Sequence, residues 1–571
     1  MVFLGPAVVW SCGLAVLQSC SLCALAVLRS CSLCALAVLR SLRPLVSSSP
    51  LLPVPCALCP VLCALCPVPC ALCPVPCALC PVPCALSPVP CALRSVPCAL
   101  CPEPYALRFS SRFTNSSSKK CIKTQKVVCK NVYLYKISGM KRTKWAELVA
   151  WKNSPGRKPL IIRGARQVGK TWLMKEFGRT EYAQTVYLNF EKNQRLANLF
   201  AGDFDIKRII TGMQAETGLI IKPENTLIIF DEIQSAPRAM TSLKYFQEDA
   251  GEYHLVAAGS LLGMALHSEA SFPVGKVQFM DLHPLTFPEF LEALGEDGLV
   301  QILGSGDWEL ITAYKSRYIE RLRHYYFVGG MPEVVSRFSG NSSFREVRDI
   351  QKEILNGYDQ DFSKHAPSTI VPRIRMLWNS IPSQLAKENK KFIYGLVKEG
   401  SRAKDYELAL SWLTECGQVE RVYRVFKPAI PLKAYEDLSA FKLFLVDIGL
   451  LSAMTDIDPH ILLEGSKILT EFKGALTEQY TFQQLAASGE FVIYYWSAER
   501  STAEVDFVLQ HGKNIIPVEV KAEENLQAKS LKVYREKYNP GIAVRTSMSD
   551  YRRQDQFINL PLYALNLLGN L

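Results

Sequence analysis

Beyond residue 139 the chain has almost no cysteine and almost no excess charge. Of its 20 cysteines, 17 lie before residue 102 and only Cys416 falls within residues 140–571. A disulfide scaffold is thereby excluded for the main body. The same segment carries 53 Lys+Arg against 52 Asp+Glu, so net charge gives no argument for nucleic-acid binding there, and only a local basic patch could serve. Residues 1–139 lack acid instead: Glu103 is their one carboxylate, against 12 basic side chains. At roughly 150 residues per domain, 571 residues correspond to about two to four domains.

The first hundred residues are repetitive. SCSLCALAVLR occurs at Ser19 to Arg29 and again at Ser30 to Arg40, and a CALCPVP unit recurs from about Cys56 to Cys101. The unit is too short for a solenoid module, and its prolines forbid helix propagation and interrupt strand ladders. Three readings compete. Its CxxC pairs superficially suit zinc, but Pro brackets nearly every pair and nothing marks discrete four-ligand sites. Residues 1–28 are uncharged and long enough to span a bilayer, which takes about 20 residues. A secretory leader would open with positive charge, whereas Arg29, Arg40 and Arg43 come only after the apolar stretches. The third reading, translated repetitive DNA outside the functional protein, is favoured by the abrupt change at Met140. There a charged opening leads into an amphipathic helix bearing Trp145, Leu148, Val149 and Trp151. The functional protein is therefore expected to begin at Met140, with 110–136 a disordered basic stretch.

From Pro159 the chain reads PLIIRGARQVGKTWLMKEFG: an apolar strand, a GxxxxGK[ST] loop, then a helical pattern. The loop comprises Gly164, Ala165, Arg166, Gln167, Val168, Gly169, Lys170 and Thr171. The glycines let successive N–H groups turn toward phosphates at the positive end of the next helix. Lys170 is expected to reach the β and γ oxygens of ATP, and Thr171 to hold Mg²⁺. A second apolar strand, TLIIFDEIQ, runs from Thr226 to Gln234 and ends in two carboxylates. Asp231 is the expected Mg²⁺ partner of Thr171, and Glu232 the catalytic base for the attacking water. HLVAAGS gives a further buried strand ending in Ser260, suited equally to sensing the γ-phosphate and to capping the following turn.

These residues resemble a family: AAA-type P-loop ATPases of bacteria and archaea with a C-terminal domain of uncharacterised function. The matching stretches are GARQVGKTWL, IIFDEIQSAP, HLVAAGSLLGMAL, DLHPLTFPEFL, YFVGGMPEVV and KLFLVDIGLLSAM. The resemblance implies a parallel sheet with helices on both faces over 140–295 and a helical lid over 296–375. It also implies an arginine aimed at the γ-phosphate, for which Arg238, Arg373 and Arg375 are candidates.

In the C-terminal half, Phe392 to Pro428 reads as helix, Gly turn and short hairpin. This suggests a winged helix over 376–430, suited equally to DNA and to packing or protein contact. Lys398, Arg402 and Lys404 would contact phosphates if DNA is the partner. Over 431–571 a helix carries Glu478, and two strands in a hairpin carry Asp506 and then Glu519 with Lys521 on one face. This order looks like a PD-(D/E)xK nuclease core: Glu478, Asp506 and Glu519 as a second metal site, Lys521 as the catalytic lysine. The structural alternative is a half-buried strand with a solvated polar face.

The expected protein is thus an α/β, cytoplasmic ATPase using ATP and Mg²⁺ to drive or switch the attached module, acting on DNA or on a protein partner, with no membrane role. The alternatives are a nucleotide-switched binding module with little turnover, and an ATP-gated metal-dependent DNA nuclease.

Overall fold

The computed structural model describes residues 141–571 apart from 260–271, 388–390, 464–469, 499–502 and 525–527. The chain divides into two units, residues 1–113 and 114–571, and everything described belongs to the second. The repeats, the basic stretch, the start at Met140 and the Ser260 assignment all lie outside the described residues.

The first layer is a five-stranded, wholly parallel sheet in the order β2-β3-β4-β1-β5. Its strands are β1 (Leu160–Arg163), β2 (Gln184–Asn189), β3 (Thr226–Asp231), β4 (His254–Ala258) and β5 (Gln278–Asp281). All six residues of β3 are buried, as a parallel strand covered on both faces requires. Alternation divides them. Leu227 and Ile229 join the core beside α1 (Trp145–Asn153) and α2 (Lys170–Glu181). Ile228 and Phe230 join a separate core with α4 (Ile206–Thr217) and α5 (Pro237–Asp249), a sequence that α3 (Gln194–Leu199) precedes. β3 ends at Asp231, three residues short of the expected Gln234, because Glu232 turns into the left-handed region at φ 52° and a short 3₁₀ turn follows.

The lid helices are α6 (Phe287–Ala293), α7 (Asp297–Ser305), α8 (Trp308–Ala313), α9 (Lys315–Val328), α10 (Pro332–Asn341) and α11 (Phe344–His365). The expected boundary at 375 falls inside α12 (Val371–Leu385), which packs on both α11 and α13 (Ala403–Glu415). No chain break in packing separates lid from helix pair.

The C-terminal half is one mixed eight-stranded sheet, ordered β12-β13-β11-β10-β9-β8-β6-β7. The strands are β6 (Val419–Val425), β7 (Glu436–Leu445), β8 (Val492–Ser497), β9 (Glu504–His511), β10 (Asn514–Val520), β11 (Ala543–Ser547), β12 (Arg552–Gln554) and β13 (Phe557–Pro561). The expected wing hairpin forms as the antiparallel pair β6–β7, but it also pairs with β8 and so belongs to the sheet that follows. A boundary at 430 would cut that hairpin. The expected two-stranded hairpin is likewise three strands, β8 to β10, and Lys521 lies just past the end of β10. Helices α14 (Ile448–Met454), α15 (Pro459–Leu463), α16 (Thr470–Ser488) and α17 (Lys529–Tyr538) complete the half.

Two of the quoted motifs meet at one joint between the halves. Gly329 and Gly330 lie after α9, where a Cβ on Gly329 would stand 2.2 Å from the Asp447 carboxylate and one on Gly330 2.2 Å from the Leu285 carbonyl oxygen. Asp447 is fully buried. It accepts from the Gly330 N–H at 2.6 Å, from Gln483 Nε2 at 3.1 Å, and from the Leu450 N–H at 3.0 Å as cap of α14. Burial raises its pKa to about 6 despite those donors. GGMPE and LVDIG are therefore the two sides of one close contact.

Candidate functional site

β1 lies between β4 and β5 in the strand order, and the loop leaving it opens at the carboxyl ends of the strands, where α/β sheets hold ligands. Gly164 (φ 142°), Gln167 (φ 68°) and Gly169 (φ 96°) bring the loop round. A Cβ on Gly164 would sit 2.2 Å from the Leu282 carbonyl oxygen, so glycine is sterically required there. Gly169 caps α2, whose twelve residues present their free N–H groups and positive end to the loop interior.

Lys170 is buried, and its ammonium donates to the carbonyls of Gly164 at 2.8 Å and Ala165 at 2.7 Å. Burial lowers its pKa to about 8, a fall resisted by the nearby Glu232 and Asp231 charges. Thr171 Oγ1 donates to Asp231 Oδ2 at 2.8 Å. Two hard oxygen donors from elements 60 residues apart are thus brought together, a donor set that fits Mg²⁺. Glu232 follows at the strand end, in strained backbone geometry of the kind found at functional sites, and its carboxylate accepts from Gln234 Nε2 at 2.6 Å.

Several side chains that brace this loop have no motif to announce them. Tyr187 on β2 donates to Asp231 Oδ2 at 2.7 Å, and burial followed by that carboxylate raises its pKa to about 12. Arg166 is ion-paired with Asp361 on α11, and Tyr358, one turn earlier, donates to the Arg166 carbonyl at 2.9 Å. Arg142 donates to the Val168 carbonyl at 3.0 Å and contacts Glu289 at 3.3 Å, where Glu289 also closes the capping box of α6. Gly417, in the turn from α13 to β6, lies so close that a Cβ would meet the Ala165 nitrogen at 3.2 Å. No local sequence signal marks Tyr187, whose place opposite Ile229 is set by the β2–β3 register.

The candidate γ-phosphate arginines are engaged elsewhere or exposed. Arg238 donates to the carbonyls of Phe200 and Gly202, Arg375 pairs with Asp359 at 2.7 Å, and Arg373 is on the surface.

Of the four residues expected as a nuclease-like centre, Glu478 and Asp506 lie beside an ammonium that was not among them, while Glu519 and Lys521 pair with each other. Lys442 on β7, fully buried, lies 2.7 Å from Glu504, 3.5 Å from Glu478 and 3.8 Å from Asp506. Burial alone would discharge it, but the three carboxylates outweigh that and raise its pKa. Asp506 also accepts the Val520 N–H at 2.8 Å, and Glu519 pairs with Lys521 at 2.7 Å. Among the described residues no group of three or more His, Cys, Asp or Glu side chains is placed to hold a metal ion. The reading of a second metal site from β9 and β10 left out the lone Lys within AFKLFLV, which lies beside Glu478, Glu504 and Asp506. Lys398, Arg402 and Lys404 are exposed near the start of α13. No described helix is long and apolar enough to cross a membrane.

Residues 156–291 match the model of a family described as AAA domain. Residues 319–461 and 473–565 match two families described as domains of unknown function, DUF8612 and DUF4143. No curated protein matches the chain. Among solved structures, the Walker-type ATPase PABY2304 of Pyrococcus abyssi is 12% identical, covering 55% of this chain and 95% of its own, with a TM-score of 0.37. The Thermotoga maritima RuvB Holliday junction branch migration motor is 14% identical, covering 52% of this chain and 89% of its own, with a TM-score of 0.23. Likenesses this loose bear on neither fold nor function here. The family match and the loop geometry together place an AAA-type, ATP-binding P-loop domain at residues 156–291 of this chain.

Proposed function

We propose that the chain hydrolyses ATP with Mg²⁺ and uses the cycle to move or order its C-terminal mixed-sheet module. The observation that supports it most is the Thr171 hydroxyl beside the Asp231 carboxylate at 2.8 Å, at the end of a loop whose lysine is already drawn inward. In this reading the loop N–H groups and the α2 terminus hold the β-phosphate. Lys170 exchanges the Gly164 and Ala165 carbonyls for the β and γ oxygens of ATP. Thr171 and Asp231 would hold Mg²⁺, which when bound supplies charge neutralisation to the phosphates. Glu232, oriented by Gln234, aligns and deprotonates the attacking water. Arg166, Tyr358 and Gly417 give the loop direct contacts with α11 and the α13–β6 turn, the route by which phosphate occupancy would reach the C-terminal half.

Steady-state phosphate release by the full chain, with and without duplex DNA, tests this reading. Mg²⁺-dependent release supports it, and stimulation by DNA that is lost on reversing the charges of Lys398, Arg402 and Lys404 would assign DNA as the partner. Unstimulated release points instead to a protein partner, and absence of any release contradicts hydrolysis.

A further inference from the structure

We infer that Lys442 permanently occupies the cation position of the C-terminal acidic cluster, so that Glu478, Glu504 and Asp506 are closed by an internal ammonium and take no divalent metal. The donor set is the first ground. A hard divalent ion needs several carboxylate or carbonyl oxygens converging at about 2.0–2.6 Å. Here the point where the three carboxylates converge is held by Nζ, at 2.7, 3.5 and 3.8 Å from them.

Anchoring is the second ground. Lys442 has no solvent exposure, pairs in register with Val422 on β6, and its ammonium lies 5.1 Å over the Tyr495 ring. Within its strand Lys442 is flanked by buried Phe441, Leu443 and Phe444. The ammonium therefore cannot swing out to admit a metal, as a surface lysine could.

Chemistry is the third. Like charge this close opposes a dication strongly in a site screened from water, and the adjoining carboxylates have partners of their own: Asp506 Oδ2 accepts the Val520 N–H and Glu519 Oε1 pairs with Lys521. A phosphodiester-cleaving water activated by a metal has no place to form. The cluster is an ionic tie joining β7, α16 and β9, and the sheet module works as a framework or binding element rather than a nuclease. This inference stands independently of ATP hydrolysis, because the two sites share no residue.

The experiment measures Mn²⁺ uptake by the full chain without nucleotide, in an Asp231→Asn background that removes the P-loop carboxylate. The chain with Lys442 intact should bind no Mn²⁺ at millimolar concentration. Lys442→Met, which keeps length and removes charge, should gain one Mn²⁺ and a thermal midpoint that rises with Mn²⁺, and adding Asp506→Asn should abolish both. Lys442→Gln provides a second, polar replacement should the Met variant fail to fold. Mn²⁺ uptake by the Lys442 chain that disappears with Asp506→Asn overturns the inference. So does a folded Lys442→Met or Lys442→Gln chain that gains no metal.

Discussion

Lys170 carries a conflict that makes it measurable. It must be charged to attract phosphates, yet burial brings its pKa to about 8. For a base with a lowered pKa the free chain gives up its proton as pH rises through that value, so binding that needs the ammonium weakens above it. ATP affinity measured by titration is expected to fall between pH 8 and 9.5 by up to about tenfold per unit, since one unit corresponds to a tenfold change in protonation. Lys170→Ala should lose most of its ATP affinity and with it this pH slope. A slope that persists in Lys170→Ala would assign it to another group. The contrast with Glu232 is sharp: its removal should spare binding and act on the chemical step alone.

Among the elements, the turns are less forgiving than the helices they join. Gly417 adopts φ 69° against the Ala165 nitrogen, so Gly417→Ala combines left-handed strain with a tight backbone contact at 3.2 Å. A loss of about 1–2 kcal/mol in unfolding free energy is expected from the conformation alone, along with weaker ATP binding; chemical denaturation and nucleotide titration of the same variant check both. Asp447→Ala should cost more, about 2–4 kcal/mol, because the buried Gly330 N–H and Gln483 lose their acceptor together. Equal stability of Asp447→Ala and the parent chain would contradict the joint described for GGMPE and LVDIG.

The elements that could be read from sequence were those whose pattern is local. β1, the loop and α2 follow one another without interruption, and β3 announces itself by four apolar residues, Leu227 to Phe230, running straight into Asp231 and Glu232. What could not be read required partners distant in the chain. Asp361 lies 195 residues from Arg166, and neither carries a local signature of the pair. The assignment of β6 and β7 to a wing failed to anticipate that the hairpin would find a third strand, because a hairpin pattern says nothing about which edge it presents. Lys442 was legible in principle, as a single charge inside an apolar strand that could be buried only if compensated. Its compensators, Glu478, Glu504 and Asp506, come from two other elements.

At the scale of the whole molecule, the core on the α1–α2 side of the parallel sheet runs on through the lid into the C-terminal sheet, uniting Ile229, Tyr325, Tyr480 and Val518 in one cluster. The P-loop domain is therefore not a separable appendage. Cutting near residue 295, 375 or 430 should expose part of that shared core and yield aggregation-prone fragments. By contrast, removing residues 1–139 should leave ATP binding unchanged, since every residue described in the nucleotide site lies after Met140. Size-exclusion profiles and ATP titrations of the shortened chains would check both expectations.

The central claim is a division of labour at one site, with Lys170 binding and Glu232 acting on water. The most direct measurement is ATP binding and phosphate release for the parent chain, Lys170→Ala and Glu232→Gln under identical Mg²⁺ conditions. The account predicts that Lys170→Ala loses both, while Glu232→Gln binds ATP within about threefold of the parent yet releases phosphate about 10²–10⁴-fold more slowly, the range expected for removing a general base. Equal loss of binding in the two variants, or unchanged release from Glu232→Gln, would contradict it.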